Sequence, residues 1–195
     1  MEKKDVLGGH GLKLRKAFSG EPVKPFVDDL VKQVSGHENI DVHLGTELQA
    51  AKGYIGNFKT TLTTGTEIEH GVTVVATGAD SAKVNEYLYG ENPNVMKWFD
   101  LDKKIEEDPD SIKKAKCAVA IHCVGSREPD HPYCSKICCA HAIECAIDMK
   151  KLNPDLDLYM LYRDVRTYGR LEDLYKEARS MGILFIRYDL DNKPK

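Results

Sequence analysis

Cys123, Cys134, Cys138 and Cys139 crowd into one short stretch of a chain whose six cysteines all fall between Cys117 and Cys145. Thiolates bind metals and carry redox chemistry. In a reducing compartment such a cluster points to metal or redox work before it points to disulfide staples. Three chemistries are open to it. A multi-iron cluster accepts ligands from divergent directions, which suits Cys138 and Cys139, because adjacent helical residues point about 100° apart. Zinc takes four thiolates, or three with an imidazole from His122, His131 or His141. Structural zinc sites usually show two closely spaced ligand pairs, however, and Cys123 has no close partner. A redox disulfide, Cys134 with Cys138 or Cys138 with Cys139, is the third, the adjacent pair being strained. Cys117, inside a strand, and Cys145, on the apolar face of an Ala-rich helix, read as small buried hydrophobes.

The elements that must hold these thiols follow from periodicity and turn residues. Cys117 to Ile121 is a short apolar strand, Val124 to Tyr133 a polar loop, and a helix is expected from about Ser135 to Leu152, where Asn153-Pro154 ends it. A strand over Leu156 to Tyr162, a helix over Leu171 to Ser180 and a strand over Ile183 to Ile186 complete the order. Strand, helix, strand, helix, strand with short links predicts a parallel sheet with right-handed crossovers, half of a doubly wound fold. Ligands of such sheets bind beyond the carboxyl ends of the strands, so the four thiols converge where a dinucleotide's pyrophosphate usually lies. The chain offers Cys123-Val124-Gly125-Ser126-Arg127-Glu128 there, without the Gly-x-Gly-x-x-Gly fingerprint. A helix N-terminus favours thiolate, and Cys134 and Cys138, one turn apart, are expected on one face. Loop N–H groups with Arg127 or Lys136 would offset the negative charge. Arg163, Asp164, Arg166 and Tyr168 follow the second strand and read as a docking surface or a solvated loop ahead of a pyridine-nucleotide contact, because the glycine fingerprint is missing.

The first half is organised differently. Pro22 opens a helix whose Val23, Phe26, Val27, Leu30, Val31 and Val34 share a face, and Gly36 ends it. Ile40 to Leu44 alternates like a strand. Residues 47 to 63 read as a strand pair turning near Gly53 to Asn57, and Glu67 to His70 as a short third strand. Val72 to Ala76 reads as a strand buried on both faces. Residues 81 to 111 read as a connection carrying one short helix near Leu101 to Glu107.

Composition excludes other classes. The 195 residues are 42% hydrophobic and 30% charged, and 28 Lys+Arg against 31 Asp+Glu leave a net charge of -3. So balanced a chain has no field to hold a phosphate backbone, which argues against nucleic acid. Its apolar runs are too short to span a membrane, and the N-terminus lacks a signal peptide's apolar core, so a cytoplasmic protein is expected.

The stretch Cys123-Val124-Gly125-Ser126-Arg127-Glu128 followed by Pro132-Tyr133-Cys134-Ser135-Lys136-Ile137-Cys138-Cys139 resembles the A subunit of heterodisulfide reductase. So do Tyr162-Arg163-Asp164-Val165-Arg166-Thr167-Tyr168-Gly169, Gly53-Tyr54-Ile55-Gly56-Asn57-Phe58 and Val75-Ala76-Thr77-Gly78. The resemblance implies a flavin and iron-sulfur oxidoreductase. Its fold would be α/β, a Rossmann-like three-layer parallel-sheet half domain of thioredoxin-reductase type preceded by a partial FAD-binding domain. Residues 1–80 would be that partial domain, lacking the first strand and glycine fingerprint, 81–111 the connection, and 112–195 the mononucleotide-binding-like half with the cysteine cluster. By the same resemblance Cys123, Cys134, Cys138 and Cys139 ligate a [4Fe-4S] cluster that carries electrons next to FAD. Glu2, Gly8, Gly9, Ala76, Thr77 and Gly78 would lie against the FAD. The implied partners are other heterodisulfide reductase-type subunits and a hydrogenase or ferredoxin-type electron donor. The chain is then a fragment, expected to be inactive alone, and no side chain is assigned to proton-transfer catalysis. The rival reading is a non-catalytic interaction or scaffold piece with a structural zinc.

Overall fold

The computed structural model describes residues 1–195. The chain divides into two compact units, one of Met1–Leu14 with Pro22–Asp80, the other of Arg15–Glu21 with Ser81–Lys195.

The first unit holds α1 (Val23–Gly36) and an antiparallel sheet of β1 (Leu48–Tyr54), β2 (Asn57–Leu62) and β3 (Glu67–His70) in sequence order. The β1–β2 turn needs Gly53. Its φ is 104°, and a Cβ there would stand 2.1 Å from the Asn57 carbonyl oxygen. Little of this unit is buried. Leu62 is its only fully covered large apolar side chain, and α1 buries no residue, leaving Phe26 and Leu30 exposed. Two expected strands are absent. Residues 40–44 join no sheet, although the carbonyl of His43 accepts from the N–H of Glu2 at 2.8 Å. Val72–Ala76 is irregular, with Val74 84% exposed rather than buried on both faces. The apolar pattern is real, but no neighbouring strand pairs with either run, and a strand needs partners for its backbone groups.

The second unit carries the hydrophobic core. Helices α2 (Trp98–Glu107) and α3 (Pro109–Lys114) precede β4 (Cys117–Ile121), α4 (Cys138–Leu152), β5 (Asp157–Tyr162), α5 (Glu172–Ser180) and β6 (Leu184–Arg187). The three strands form a parallel sheet in the order β4-β5-β6, as the alternating pattern predicts. Sequential order with right-handed crossovers puts both crossover helices on one face. Leu158 and Met160 of β5 project into that face and pack with Ile143, Ala146 and Ile147 of α4, and Ile105 of α2 and Ile112 of α3 join them. Each fully buried side chain of this kind contributes about 1.5–3 kcal/mol. Almost every position from Cys139 to Met149 is buried, as a central helix requires. The alternate strand residues face the other way, and Val119, Leu184 and Ile186 are exposed. Cys117 shares that outward parity and is exposed, which corrects its reading as a buried hydrophobe. No helix is long and apolar enough to cross a membrane.

Candidate metal centre

The parallel ladder extends one residue past β4, where the His122 N–H donates to the Leu161 carbonyl at 2.9 Å. The chain then turns sharply at Cys123, whose φ is 63°, and folds back on itself. The Ser126 N–H reaches the Cys123 carbonyl at 3.1 Å, the Arg127 N–H the Tyr133 carbonyl at 3.2 Å, and Glu128 and His131 bond each other's backbone. This return brings Tyr133, and with it the chain entering Cys134, back beside the Cys123 turn. Gly125 makes the turn possible: its φ is 66°, and an added Cβ would stand 2.6 Å from Val84 Cγ1. Tyr188 clasps the loop from the end of the sheet, its hydroxyl donating to the His122 carbonyl at 2.5 Å.

Helix α4 starts at Cys138, not near Ser135. Lys136, with φ 63°, interrupts helical geometry just before it. The Lys136 N–H points instead to Cys134 Sγ at 3.4 Å. Cys134 is therefore a loop residue, and the expectation that it shares a helical face with Cys138 does not hold. Cys138 and Cys139 open the helix where its unpaired N–H groups concentrate. The Cys138 thiol is held down to about 6 by the Cys139 S–H, the Ser135 hydroxyl and backbone N–H groups, against the opposing effect of burial. Cys139 is pushed up, first by sharing that hydrogen bond and then by burial. The pair thus behaves as one thiolate and one thiol.

Arg127 ties this helix end to the Cys123 turn. Its Nη1 lies 3.8 Å from Cys123 Sγ and its Nη2 2.5 Å from the Asp164 carboxylate. The backbone carbonyl of that same Asp164 accepts from Cys139 Sγ at 3.7 Å. Burial works against the Arg127 charge, but Asp164 and Cys123 outweigh it and raise the guanidinium further. Cys123 and Cys139 are thus linked through Arg127 and Asp164 at the carboxyl end of the parallel sheet, with Cys138 beside Cys139. Cys134 comes to the same loop but has no hydrogen bond to the other three thiols. His122 lies under the turn, 3% exposed, with no partner for its Nε2. Burial drops it to about 4, so it is neutral at pH 7.

A closely spaced metal-type trio lies elsewhere. Ligand atoms of Asp102, His141 and Cys145 all stand within 4.8 Å of one another. That trio is already satisfied. Asp102 accepts from His141 Nε2 at 2.7 Å and from Cys145 Sγ at 3.6 Å, and Arg15 Nε stands 3.5 Å from its carboxylate. Arg15 also pairs with Asp148, and Lys16 stands 2.8 Å from Asp148 and 3.6 Å from Glu144. Cys145 is thus a thiol in a buried ionic network, beyond the plain hydrophobe read from the sequence. The signal was available: His141, Glu144, Cys145 and Asp148 recur at helical spacing on one face of α4.

The donor set at the loop suits an iron-sulfur cluster. Four thiolates each bound to a separate iron stand further apart than four around one zinc ion with bonds of about 2.3 Å. The residues expected at FAD are less assembled. Glu2 accepts the Lys4 N–H at 2.9 Å, and Gly8 and Gly9 form a left-handed entry to a short 3-10 turn. Ala76, Thr77 and Gly78 lie in the exposed irregular segment, with no hydrogen bond to Glu2, Gly8 or Gly9.

No protein-family model matches the chain. A thioredoxin reductase of T. acidophilum superposes on 95% of the chain and 54% of its own length, with a TM-score of 0.50 and 13% sequence identity, which defines the fold as thioredoxin-reductase-like. The A subunit of the H(2):CoB-CoM heterodisulfide,ferredoxin reductase of Methanothermobacter thermautotrophicus is 36% identical over 137 residues, 62% of this chain and 21% of that protein. The A subunit of the H(2)/formate:CoB-CoM heterodisulfide,ferredoxin reductase of Methanococcus maripaludis is 36% identical over 136 residues, with the same shares. An iron-sulfur A subunit of the CoB--CoM heterodisulfide reductase of Methanopyrus kandleri is 36% identical over 136 residues, 60% of this chain and 20% of that protein. Over this matched part the chain is similar to heterodisulfide reductase A subunits, and it spans about a fifth of the length of these relatives.

Proposed function

We propose that this chain is the iron-sulfur-binding part of a cytoplasmic oxidoreductase of the heterodisulfide reductase type. Cys123, Cys134, Cys138 and Cys139 hold a [4Fe-4S] cluster. The observation that carries this reading is the link from Cys123 through Arg127 and Asp164 to Cys139, which gathers thiols from separate points of the chain at one end of a parallel sheet. When bound, such a cluster supplies one-electron transfer without proton-transfer catalysis by side chains.

The chain's own residues do the rest. The Cys138–Cys139 helix end supplies N–H groups and a thiolate at neutral pH. Arg127 places positive charge on the Cys123 sulfur, and the neutral His122 lines the floor without adding charge. Asp164 orients Arg127 with its side chain and, in the metal-free protein, accepts the Cys139 S–H at its backbone carbonyl. Glu2, Gly8, Gly9, Ala76, Thr77 and Gly78 are the residues we assign to FAD. The electron partners of this reading are the other heterodisulfide reductase-type subunits and a hydrogenase or ferredoxin-type donor.

Anaerobic purification with iron, acid-labile sulfide, zinc and flavin quantified on one sample tests the proposal. Iron and sulfide in equal amounts, with a broad visible absorbance, are expected. Stoichiometric zinc in a colourless protein would replace the reading with a structural zinc scaffold.

A further inference from the structure

Arg163 follows β5 directly and is 8% exposed, yet no carboxylate pairs with it. Its guanidinium is spent on one short stretch of backbone. Nη1 donates to the Arg127 carbonyl at 2.6 Å, and Nη2 donates to the Ser126 carbonyl and lies 3.4 Å from the Cys123 carbonyl. Its Nε–H has no acceptor at all. These three carbonyls belong to the one stretch where Cys123, Gly125 and Arg127 all adopt positive φ. For Cys123 and Arg127, which carry a Cβ, that conformation is costly and persists only where the surroundings over-determine it. Three carbonyls fixed by one planar fork supply that constraint.

The charge of Arg163 acts beside its geometry. A buried cation without a counter-ion is expensive. Asp164, the nearest acidic neighbour in sequence, is engaged by Arg127. The carbonyl dipoles solvate Arg163 in part, and its surplus charge and free Nε–H favour an anionic group at the Cys123 turn.

We infer that Arg163 is the positioning residue of Cys123: it pre-forms the turn that presents this sulfur and lends charge to the thiolate-ligated centre. The metal-ligation half of this inference rests on the function proposed above; the pre-formed turn does not. Lysine keeps the charge but cannot span three carbonyls, and glutamine keeps neither the charge nor the fork.

The experiment uses the full chain with Arg163→Gln and Arg163→Lys. In metal-free protein, amide hydrogen exchange at Ser126, Arg127 and Glu128 and alkylation of Cys123 should each accelerate roughly tenfold in R163Q, and less in R163K, with α4 protection unchanged. After anaerobic loading, R163Q should lose most of its iron and sulfide. R163K should retain iron with a changed electron paramagnetic resonance spectrum of the reduced centre. If R163Q also loses α4 protection, R163K decides by the same comparison. Unchanged exchange at residues 126–128 in a folded variant overturns the positioning role, and wild-type iron with a wild-type spectrum in both variants overturns the role at the metal. A wild-type chain that takes up no iron refutes the proposed function alone, because the metal-free exchange still decides the role of Arg163 in the turn.

Discussion

His122 is the residue whose chemistry is most sharply set by its place. Its unfolded pKa is about 6.5 and burial drops the folded value to about 4. The folded state thus resists a proton that the unfolded state accepts. The stability tied to the neutral ring is fully present above about pH 6.5 and is lost as pH falls toward 4. At about 1.4 kcal/mol per unit, roughly 3 kcal/mol is at stake across that window. Urea melts of the metal-free protein at pH 7 and pH 5 should show a steep loss that His122→Phe flattens; identical slopes would contradict the burial argument. At Asp102, Asp102→Ala would leave His141 and Arg15 without their shared carboxylate in a buried site, and should cost about 3–5 kcal/mol in the same melts. A loss below about 1 kcal/mol, the range of exposed pairs, would mean that the network is solvated.

Elements carry the cysteine loop. β4 leads into it, α4 follows it, and the segment Ala82–Glu86 runs alongside, lining a groove with Gly125, Glu128, His131 and Tyr133. Val84 fills the space that a side chain at Gly125 would need. Gly125→Ala should therefore destabilise by roughly 1–3 kcal/mol through overlap and backbone strain. Combining it with Val84→Ala should recover the overlap part and leave the strain. Thermal melts of the four proteins check this, and additive losses would contradict the contact. The order of strands and helices in this half is legible in the sequence, because each apolar run is bounded by turn residues and a progressive strand order follows from short links. The start of α4 is not, because Lys136 adopts a left-handed conformation that nothing in its residue type announces. Arg163 reads as solvated or docking because charge alone gives no sign of burial; the three carbonyls it serves lie some 40 positions earlier in the chain. Ile40–Leu44 and Val72–Ala76 read as strands yet pair with nothing, because alternation and apolarity describe a strand's faces and say nothing of its partners.

At the scale of the whole molecule, apolar burial is uneven. The contiguous core of α2–α5 and β4–β6 belongs to the second unit, whereas the first unit covers Leu62 and little else completely. Native-state hydrogen exchange should be slowest in β5 and α4, and roughly tenfold or more faster in β1–β3. Equal protection in both units would show that the first is held by more than its own contacts. The four cysteines lie in the better-packed unit, where a rigid sheet end keeps their geometry. The proposed electron carriage rests on that geometry and on these four thiols being the ligands. The direct measurement is iron and sulfide per chain after anaerobic reconstitution of the wild type and six single Cys→Ser variants. About four irons per wild-type chain are expected, with a loss of most of that iron in Cys123→Ser, Cys134→Ser, Cys138→Ser and Cys139→Ser, and wild-type loading in Cys117→Ser and Cys145→Ser. Full iron in Cys123→Ser together with loss in Cys145→Ser would place the centre elsewhere and contradict the proposed electron carriage.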